Sequence, residues 1–510
     1  MSADQPHGNL TKSTLSGFAW HYTSFATQAV LQLIVLAVLA RLLSPEDFGV
    51  LGIAMVFVGF AALFSQLGVG PALIQRSELT PIHIRVGFTL SILLSLVLTL
   101  IIIAISPWTA RFLQNDQVAD VLSVVSLNFL FAGFGVVSES LLKRNLKFKS
   151  MMLASVGSYV FGYACIGITL AWLGYGVWAL VGATLGQSFL NSVLLLILSP
   201  IPFSPCLARR EMRELLFFGG GFTLAHFLNY SANQGDYFVV GRMMGPGALG
   251  VYSRAYQLMM MPAKYFGQVL TVVLFPVMAK LQDERQQLTK TYLSGIAMVT
   301  LVSAPLGALM IATASEIVEV LLGPKWGDTV IPFQILALGV VARGSYKIDD
   351  SLAKALGAMY RRSARDAVYA AGVVLGSMIG LRWGLAGVAV GVLAAVLMNY
   401  ILALQMSKNL LNCSWSQIIK ALSPAIYPTV VVAVVATFVR SSLHAYGLPA
   451  WFILGATTLT SGLILIGLFS VQPQILGLYG TQTLKRFLPL LPIQIFPKTV
   501  SQWLLAKLKY

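Results

Sequence analysis

Apolar stretches of about 20 residues recur from one end of the chain to the other, and short polar connections separate them. A helix needs about 20 such residues to cross a bilayer. The hydropathy pattern predicts fourteen spans, with approximate limits 16–41, 47–70, 86–108, 121–142, 151–173, 176–198, 215–241, 247–278, 291–314, 329–356, 366–382, 384–406, 420–440 and 449–470. No connection is long enough to hold a folded domain. The pattern therefore predicts an all-α polytopic membrane protein.

Composition supports this class and excludes others. Only 10% of the 510 residues are charged, whereas 57% are hydrophobic and the mean hydropathy is +0.80. A soluble domain has about 25% charged residues, so this chain cannot cover a water-facing surface. We therefore exclude a soluble enzyme, a nucleic-acid-binding protein and a disordered scaffold. The first apolar stretch is long and is not followed by a small-residue cleavage site, so we interpret it as a retained helix.

The distribution of positive charge predicts the orientation in the membrane. The formal net charge is +16. If the N-terminus is cytoplasmic, the even-numbered connections and the two tails hold 23 of the 34 Lys and Arg residues, and the odd-numbered connections hold 6. Because Lys and Arg accumulate in cytoplasmic loops, this bias predicts that both termini are cytoplasmic.

Two pairs of similar segments indicate an internal repeat. RLLSPEDFGV (41–50) shares Arg, Pro, Gly and Val with RMMGPGALGV (242–251), 201 positions later, and GYGVWALVG (174–182) is similar to RWGLAGVAVG (382–391). Since the copies lie six helices apart, they start from the same side of the membrane. This predicts a parallel repeat about an axis along the membrane normal, as in many transporters.

The repeat predicts the division of the chain. Its parts are an N-terminal six-helix lobe (1–198), a cytoplasmic inter-lobe linker (199–214), a C-terminal six-helix lobe (215–410), helices thirteen and fourteen (411–470) and a basic cytoplasmic tail (471–510). The tail either lies along the inner leaflet surface or is disordered, and its sequence fits both alternatives.

Polar side chains occur inside four predicted spans, where an ionised group costs about 2.5–3.5 kcal/mol to insert. At about 100° per residue they form stripes on helices one, seven, eight and ten. The stripes contain His21, Gln28 and Gln32; His226, Asn229, Asn233 and Asp236; Arg254, Gln257, Lys264 and Gln268; and Arg343, Lys347 and Asp350. We predict that they line a cationic chamber between two lobes. Phosphate and sugar hydroxyls are the groups that such side chains bind.

Simpler explanations stay open for parts of this set. The stripe on helix one is also explained by interhelical hydrogen bonds. Asp236 approaches the external end of its helix and is also explained as a boundary charge. Lys347 and Asp350 are close enough along one helix face to form an internal ion pair. Glu139 is a lone acid that we expect to pair with the Lys or Arg that follows it.

No motif for catalysis is evident. The five histidines are scattered, and the three cysteines are isolated and odd in number, so we expect neither a metal site nor a disulfide framework. No Walker A loop is present. Asp349 and Asp350 are followed by Ser-Leu-Ala rather than by a second acidic cluster, which argues against a diphosphate–Mg²⁺ site. We therefore expect a transporter rather than an enzyme, with no cofactor and no metal.

Several separated segments resemble one family. ARLLSPEDFGVLGIAMVFVGFAALFSQLGVGPALIQR (40–76) resembles the signature of the polysaccharide transporter family of the MOP flippase superfamily. SLLKRNLKFKS (140–150), LLGPKWGDTVIPFQILAL (321–338) and GDYFVVGRMMGPGALGVYSRAY (235–256) fit the same family. The resemblance extends over about residues 10–440 and is strongest to colanic-acid-type exporters and lipopolysaccharide biosynthesis flippases.

The resemblance implies a fold and a function. The fold is MATE/MOP-like, with two pseudo-symmetric six-helix lobes around a cavity and two further C-terminal helices. The function is movement of an undecaprenyl-diphosphate-linked oligosaccharide across the bacterial inner membrane by alternating access, for synthesis of O-antigen, capsule or exopolysaccharide. Membrane lipids are implied partners, and polysaccharide polymerase and export machinery are candidate partners. If an ion gradient is used, Asp236 and Glu139 are the acids considered for proton binding.

Three alternatives remain. A cation-coupled multidrug exporter of the same superfamily favours an acidic chamber, whereas the predicted one holds more bases than acids. A membrane enzyme such as a polysaccharide polymerase or a lipid-linked glycosyltransferase needs a large external loop or a metal-binding acidic motif, and the sequence shows neither. A membrane scaffold without transport activity is the remaining alternative.

Overall fold

The computed structural model describes residues 27–65, 69–76, 78–202, 204–217, 220–472, 477 and 479. At 63–65, 215–217, 220–229, 231–232 and 263–273 it describes the backbone alone. This part of the chain is made of helices and short connections and contains no strand. The all-α fold class is confirmed, and the chain is a multi-pass membrane protein.

Contacts divide the chain into two compact units. The first runs to Val251 and includes Leu321–Lys325, and the second comprises Tyr252–Val320 and the chain from Trp326 onward. The helices of the first unit are α1 (Thr27–Leu42), α2 (Pro45–Ser65), α3 (Val69–Gln75), α4 (Pro81–Leu113), α5 (Asp116–Val125), α6 (Leu127–Arg144), α7 (Phe148–Ser158), α8 (Ile166–Trp172), α9 (Val177–Leu198), α10 (Arg209–Phe217) and the first half of α11 (Gly220–Lys280). A π-helical stretch, Tyr159–Cys165, joins α7 to α8.

The second unit begins within α11. Its other helices are α12 (Arg285–Ala312), α13 (Ala314–Leu321), α14 (Val330–Ala337), α15 (Val340–Ala355), α16 (Met359–Gly380), α17 (Gly384–Leu411), α18 (Trp415–Leu422), α19 (Ile426–Ala445) and α20 (Ala450–Val471). Short 3₁₀ turns cover Pro324–Thr329, Leu381–Trp383 and Ser423–Ala425. The tail beyond residue 472 lies outside the described residues except for two positions, so both interpretations of it stay predictions.

Among the described residues, the segments that qualify as membrane spans are fewer than the fourteen that the sequence predicts. Among the described residues, nine helical segments are long and apolar enough to cross a membrane, or ten if the bent pair Pro324–Ala337 and Val340–Ala355, which meet at 47°, forms one span. The predicted count of fourteen is therefore not confirmed. The observed and predicted numbers of spans differ for two reasons. Helix α1 begins at the edge of the described residues, and α11 and Met359–Leu411 each contain two predicted spans.

The segment Met359–Leu411 is a tight helical hairpin. A Cβ on Gly376 would collide with the carbonyl group of Gly391, and one on Gly380 would collide with that of Gly387. These two pairings run in opposite directions along α16 and α17, so the helices are antiparallel. Glycine at all four positions lets the two backbones touch, as small residues do between membrane helices. The chain therefore turns back near residue 382, where the sequence predicts the end of one span and the start of another.

A second break lies inside α11. At Gly245 the backbone has φ +85° and ψ 174°, which is not helical and is a conformation that glycine adopts readily. The sequence predicts a connection between spans at 242–246, so the break falls where it is expected. The segment 199–214, predicted as a linker, contains the start of α10. It is anchored to α4 by the hydrogen bond from the Cys206 amide to Thr89 Oγ1 at 3.0 Å. The lobe limits themselves stay predictions.

The core that positions the polar stripe of α15 is formed by three helices of the second unit. Tyr292 on α12, Ile348 and Leu352 on α15, and Leu404 on α17 are all buried in one hydrophobic cluster. Because a buried apolar side chain contributes about 1.5–3 kcal/mol, this cluster fixes the rotation of α15. The polar residues that lie between its apolar positions are thereby held inside the unit.

Candidate functional site

The arginine in the polar stripe of α15 is held over an aromatic ring. Arg343 is only 4% exposed, and its guanidinium carbon lies 4.8 Å from the centre of the Tyr256 ring on α11. Lys347, one turn further along α15, has its Nζ 5.1 Å from the centre of the Tyr346 ring. A cation over a tyrosine face gains about 0.5–2 kcal/mol. The geometry therefore holds two positive charges on one membrane helix.

The acid of the same stripe has arginine partners on the next helix. Asp350 is buried and receives Arg365 at 2.7 Å and Arg362 at 2.9 Å. Asp366 contacts the same two guanidinium groups, at 3.1 Å from Arg365 and 3.8 Å from Arg362. The result is a four-residue ionic network between α15 and α16. In the described part of the chain Lys347 makes no ion pair with Asp350, so the alternative of an internal pair on α15 is not what the structure shows.

Sequence reasoning missed this network. It counted Arg362 and Arg365 among the positive residues of a cytoplasmic connection, whereas both lie on α16, the helix that starts at Met359. The missed signal is the order Arg-Arg-x-x-Arg-Asp at 361–366, which places two arginines and an aspartate on neighbouring faces of one helical turn. An acid near the end of the preceding helix is the natural partner for such a set.

A buried acid next to the network also escaped the prediction. Asp349 is fully buried, and its Oδ1 accepts hydrogen bonds from Tyr292 Oη at 2.7 Å and from Ser407 Oγ at 2.6 Å. The three residues lie on α15, α12 and α17. From the sequence alone, Asp349 is recognised only as half of a weak metal motif, because hydroxyl partners on distant helices leave no local signal.

The other predicted residues are placed only in part. Asp236 on α11 is 1% exposed, and its Oδ1 accepts from the Tyr237 backbone amide at 3.0 Å. Six of the predicted side chains are partly buried within their own units, namely those of Gln28, Gln32, Asn233, Arg254, Gln257 and Lys347. His21 lies outside the described residues, and so do the side chains of His226, Asn229, Lys264 and Gln268. The predicted chamber therefore stays a prediction for these positions.

The first unit contains a polar cluster near its predicted cytoplasmic end. Arg144 donates from Nη1 to the carbonyl oxygens of Leu73 at 3.1 Å and Ile74 at 3.2 Å, at the end of α3. Arg76 donates to Glu214 of α10 at 2.6 Å. This hydrogen bond lowers the pKa of Glu214 below its ordinary value of 4.5. The cluster fastens α10 to α3 and thereby fixes the segment that was predicted as a linker.

Glu139 has one of the partners that the sequence predicts for it. Glu139 and Lys143, one helical turn apart on α6, form an ion pair of 2.5 Å. Both side chains are more than a third exposed. The pairing with Lys143 explains why an acid occurs at position 139. An exposed pair of this kind contributes only about 0–1 kcal/mol to stability.

The two copies of the repeated motif contact each other in the first unit. A Cβ on Gly250 would collide with the carbonyl of Pro45, and a Cβ on Gly49 would collide with that of Pro246. The members of each contact are related to those of the other by the same 201 positions that separate the motifs. The repeat therefore has a structural counterpart in a reciprocal contact.

The described residues offer no arrangement for a metal. Across 27–472 with its gaps, no three His, Cys, Asp or Glu side chains lie close enough together to hold an ion. The three cysteines are free, and Cys413 is buried.

Comparison with solved structures shows the fold. The chain is similar to the lipid II flippase MurJ in an inward closed conformation, with a TM-score of 0.72, 15% identity and coverage of 88% of this chain and 97% of that one. It is also similar to an inward-facing multidrug resistance MATE family transporter of the MOP superfamily, with a TM-score of 0.62, 17% identity and coverage of 76% and 96%.

Comparison of sequences identifies relatives. The chain is 24% identical to the lipopolysaccharide biosynthesis protein WzxC of Escherichia coli K12, over 83% of this chain and 88% of that protein. It is 25% identical to the teichuronic acid biosynthesis protein TuaB of Bacillus subtilis, over 66% and 70%. It is 27% identical to the succinoglycan biosynthesis transport protein ExoT of Rhizobium meliloti, over 64% and 66%. Residues 38–331, more than half of the chain, match the polysaccharide biosynthesis protein family, Polysacc_synt_3, and the chain therefore belongs to that family.

Proposed function

We propose that the chain is a flippase that moves an undecaprenyl-diphosphate-linked oligosaccharide from the cytoplasmic to the outer leaflet of a bacterial inner membrane. Membership of the polysaccharide biosynthesis family supports the pathway, and the similarity of the fold to a lipid II flippase and to MATE transporters supports alternating access. The product supplies synthesis of a surface polysaccharide, whether O-antigen, capsule or exopolysaccharide. The chain acts as a transporter and performs no catalytic step.

The observation that carries the substrate class is the positive charge on α15. Arg343 lies over Tyr256 and Lys347 lies over Tyr346. A diphosphate offers several acceptor oxygens, and guanidinium and ammonium groups are the side chains that bind phosphate oxygens most strongly. Aromatic rings beside these cations also suit the faces of sugar rings. The lipid tail needs no polar site, because it stays in the bilayer.

The remaining predicted positions extend this site. We propose that Arg254, Gln257, Lys264 and Gln268 of α11 and His226, Asn229, Asn233 and Asp236 of the same helix belong to the substrate path, with His21, Gln28 and Gln32 of the first predicted span. Asp350 has a different role in this proposal. Because two arginines neutralise Asp350, this residue adds no net negative charge to the path.

The proposal includes orientation and partners. The distribution of Lys and Arg supports cytoplasmic termini, and the family supports an inner-membrane location in which polymerase and export proteins receive the product. These partners are inferred from the pathway.

The decisive test starts from deletion of the gene. We expect lipid-linked oligosaccharide to accumulate on the cytoplasmic leaflet, where an impermeant probe of the sugar added outside does not reach it. Wild-type chain should restore export, whereas R343A and K264A should lower export about ten- to a hundredfold, the effect of losing one or two charge-assisted hydrogen bonds. K280A, a change of an exposed lysine at the end of α11, is the control. All variants must reach wild-type levels in the membrane.

Two other outcomes would replace the proposal. Accumulation of single repeat units on the outer leaflet would indicate a polymerase. Normal polysaccharide with increased sensitivity to cationic drugs would indicate a multidrug exporter, the candidate that the MATE-like fold favours. Normal export by both R343A and K264A would remove these two residues from the path without removing the function.

A further inference from the structure

One buried carboxylate is not explained by transport of an anionic substrate. Asp349 is fully buried among α12, α15 and α17. Its Oδ1 is occupied by the hydroxyl groups of Tyr292 and Ser407. Its Oδ2 has no hydrogen-bond partner in the described part of the chain. Buried polar atoms without partners are rare in native proteins and call for a physical reason.

Two hydroxyl groups beside Asp349 also lack a well-aligned hydrogen bond. Ser345 lies one helical turn before Asp349 on α15 and is fully buried, and Tyr400 of α17 lies beside Ser345 and within electrostatic reach of Asp349. Among the described residues, neither Ser345 Oγ nor Tyr400 Oη makes a hydrogen bond of good geometry. Three oxygens without a well-aligned hydrogen bond therefore occur at one place in the core of the second unit.

The local charges leave Asp349 uncompensated. The groups that face it are Tyr292 from α12, Ser407 and Tyr400 from α17, Asp350 from α15 and Arg365 from α16. Arg365 is engaged with Asp350 and Asp366, and Arg362 contacts the same two acids. Lys354 also interacts with Asp350. Among the described residues no Lys or Arg forms an ion pair with Asp349, so an ionised Asp349 would have no cation in direct contact. Burying a lone carboxylate in a low-dielectric core is costly, and such a group takes up a positive charge instead.

We propose that Asp349 is a proton-binding site at the junction of α12, α15 and α17. A proton on Oδ2 removes the uncompensated charge and converts this oxygen from an acceptor into a donor, for which the hydroxyl oxygens of Ser345 and Tyr400 are the acceptors at hand. A proton also fits a site whose first oxygen is already occupied by two hydroxyls and which has a single carboxylate. A divalent metal ion fits this junction less well, because its single carboxylate cannot balance two positive charges. Release of the proton places a negative charge between three packed helices, so protonation is linked to their packing.

The first experiment needs no substrate, so it is independent of the proposed function. Infrared spectra of the purified full chain in lipid nanodiscs, labelled with ¹³C-aspartate, should show the carbonyl band of a protonated carboxyl group at about pH 5.5, where the carboxyl groups of exposed aspartates are ionised. The band should be absent in D349N and present in D283N, a change of an exposed aspartate. Absence of the band from the wild type, or its persistence in D349N, would overturn the proposal.

A second variant covers the case in which D349N does not fold. S407A removes one donor to Asp349 Oδ1 and should shift the frequency of the same band without abolishing it. An unshifted band would mean that the protonated group is not Asp349.

Stability against pH provides the third measurement. The amide of D349N mimics the protonated acid, since it offers one acceptor and one donor. D349N should therefore melt at least as high as the wild type at neutral pH. The advantage of D349N should grow as pH rises from about 4, where an aspartate of the unfolded chain ionises, to the pH at which Asp349 releases its proton, and should stay constant above that pH. A wild type that is stabilised by sodium to the same extent at every pH would indicate a sodium site and contradict proton binding.

Discussion

Gly250 packs against the backbone carbonyl of Pro45 so closely that no Cβ atom fits between them. Gly49 makes the same contact with Pro246, and each residue is 201 positions away from its counterpart in the other contact. Contacts that are reciprocal in this way are the mark of a two-fold relation between the contacting segments. The internal repeat is therefore visible as a pair of equivalent backbone contacts, and glycine is required in both of them.

The first prediction concerns this contact. G250A should lower the free energy of unfolding by about 1–3 kcal/mol, the usual cost of overpacking, because the atom it meets belongs to the backbone and cannot rotate away. The matched control is G247A in the same segment, since a Cβ there has open space around it. Thermal unfolding of the two purified variants measures the difference. Equal melting temperatures would mean that the close approach is absent from the protein in the membrane.

The second prediction concerns the ionic network of α15 and α16. D350N should cost about 3–5 kcal/mol of stability, because it leaves the buried guanidinium group of Arg365 and the partly buried one of Arg362 to share Asp366 alone. The control E139Q breaks the exposed pair with Lys143, which should cost about 0–1 kcal/mol. Unfolding in denaturant, followed by tryptophan fluorescence, measures both. If D350N lowered the free energy of unfolding as little as E139Q does, the network would not be buried in the protein.

The third prediction concerns orientation. In a chain whose three cysteines are replaced by serine, K147C, in the exposed connection between α6 and α7, should react with an impermeant maleimide only from the cytoplasmic side. Y446C is the control for the opposite side, because Tyr446 is 81% exposed and follows α19 in a connection predicted to be external. Labelling of intact cells and of inverted vesicles separates the two. Reaction of K147C in intact cells would overturn the topology.

The fourth prediction concerns pH. The hydrogen bond from Arg76 lowers the pKa of Glu214 below 4.5 in the folded chain. A carboxyl with a lowered pKa contributes stability that is present above the unfolded value and is lost as pH falls through the folded value. We expect the melting temperature of the wild type to decrease below about pH 4.5 more steeply than that of E214Q. Parallel curves for the two proteins would show that the contact between α10 and α3 carries no proton linkage.

Much of the architecture follows from the sequence alone, because the bilayer imposes one simple requirement on it. Every backbone polar group in lipid must be satisfied within its own helix, so long apolar stretches are sufficient to predict helices. The same logic predicts the break at Gly245 and the turn near residue 382, where glycine and polar residues interrupt the apolar pattern. Motifs such as RLLSPEDFGV were sufficient to predict the family, which the match over 38–331 then showed.

The pairing of polar residues was decided only by the tertiary structure. Along the chain, Asp350 has Lys347 as its natural neighbour, yet its partners are Arg362 and Arg365 of the next helix. Asp349 looks like half of a metal motif, yet it is enclosed by hydroxyl groups from helices that are more than fifty residues away. Helical periodicity determines which face a residue occupies, but the choice among several partners at that face depends on how neighbouring helices are rotated. That rotation is set by apolar packing around residues such as Tyr292 and Leu352, which no local pattern encodes.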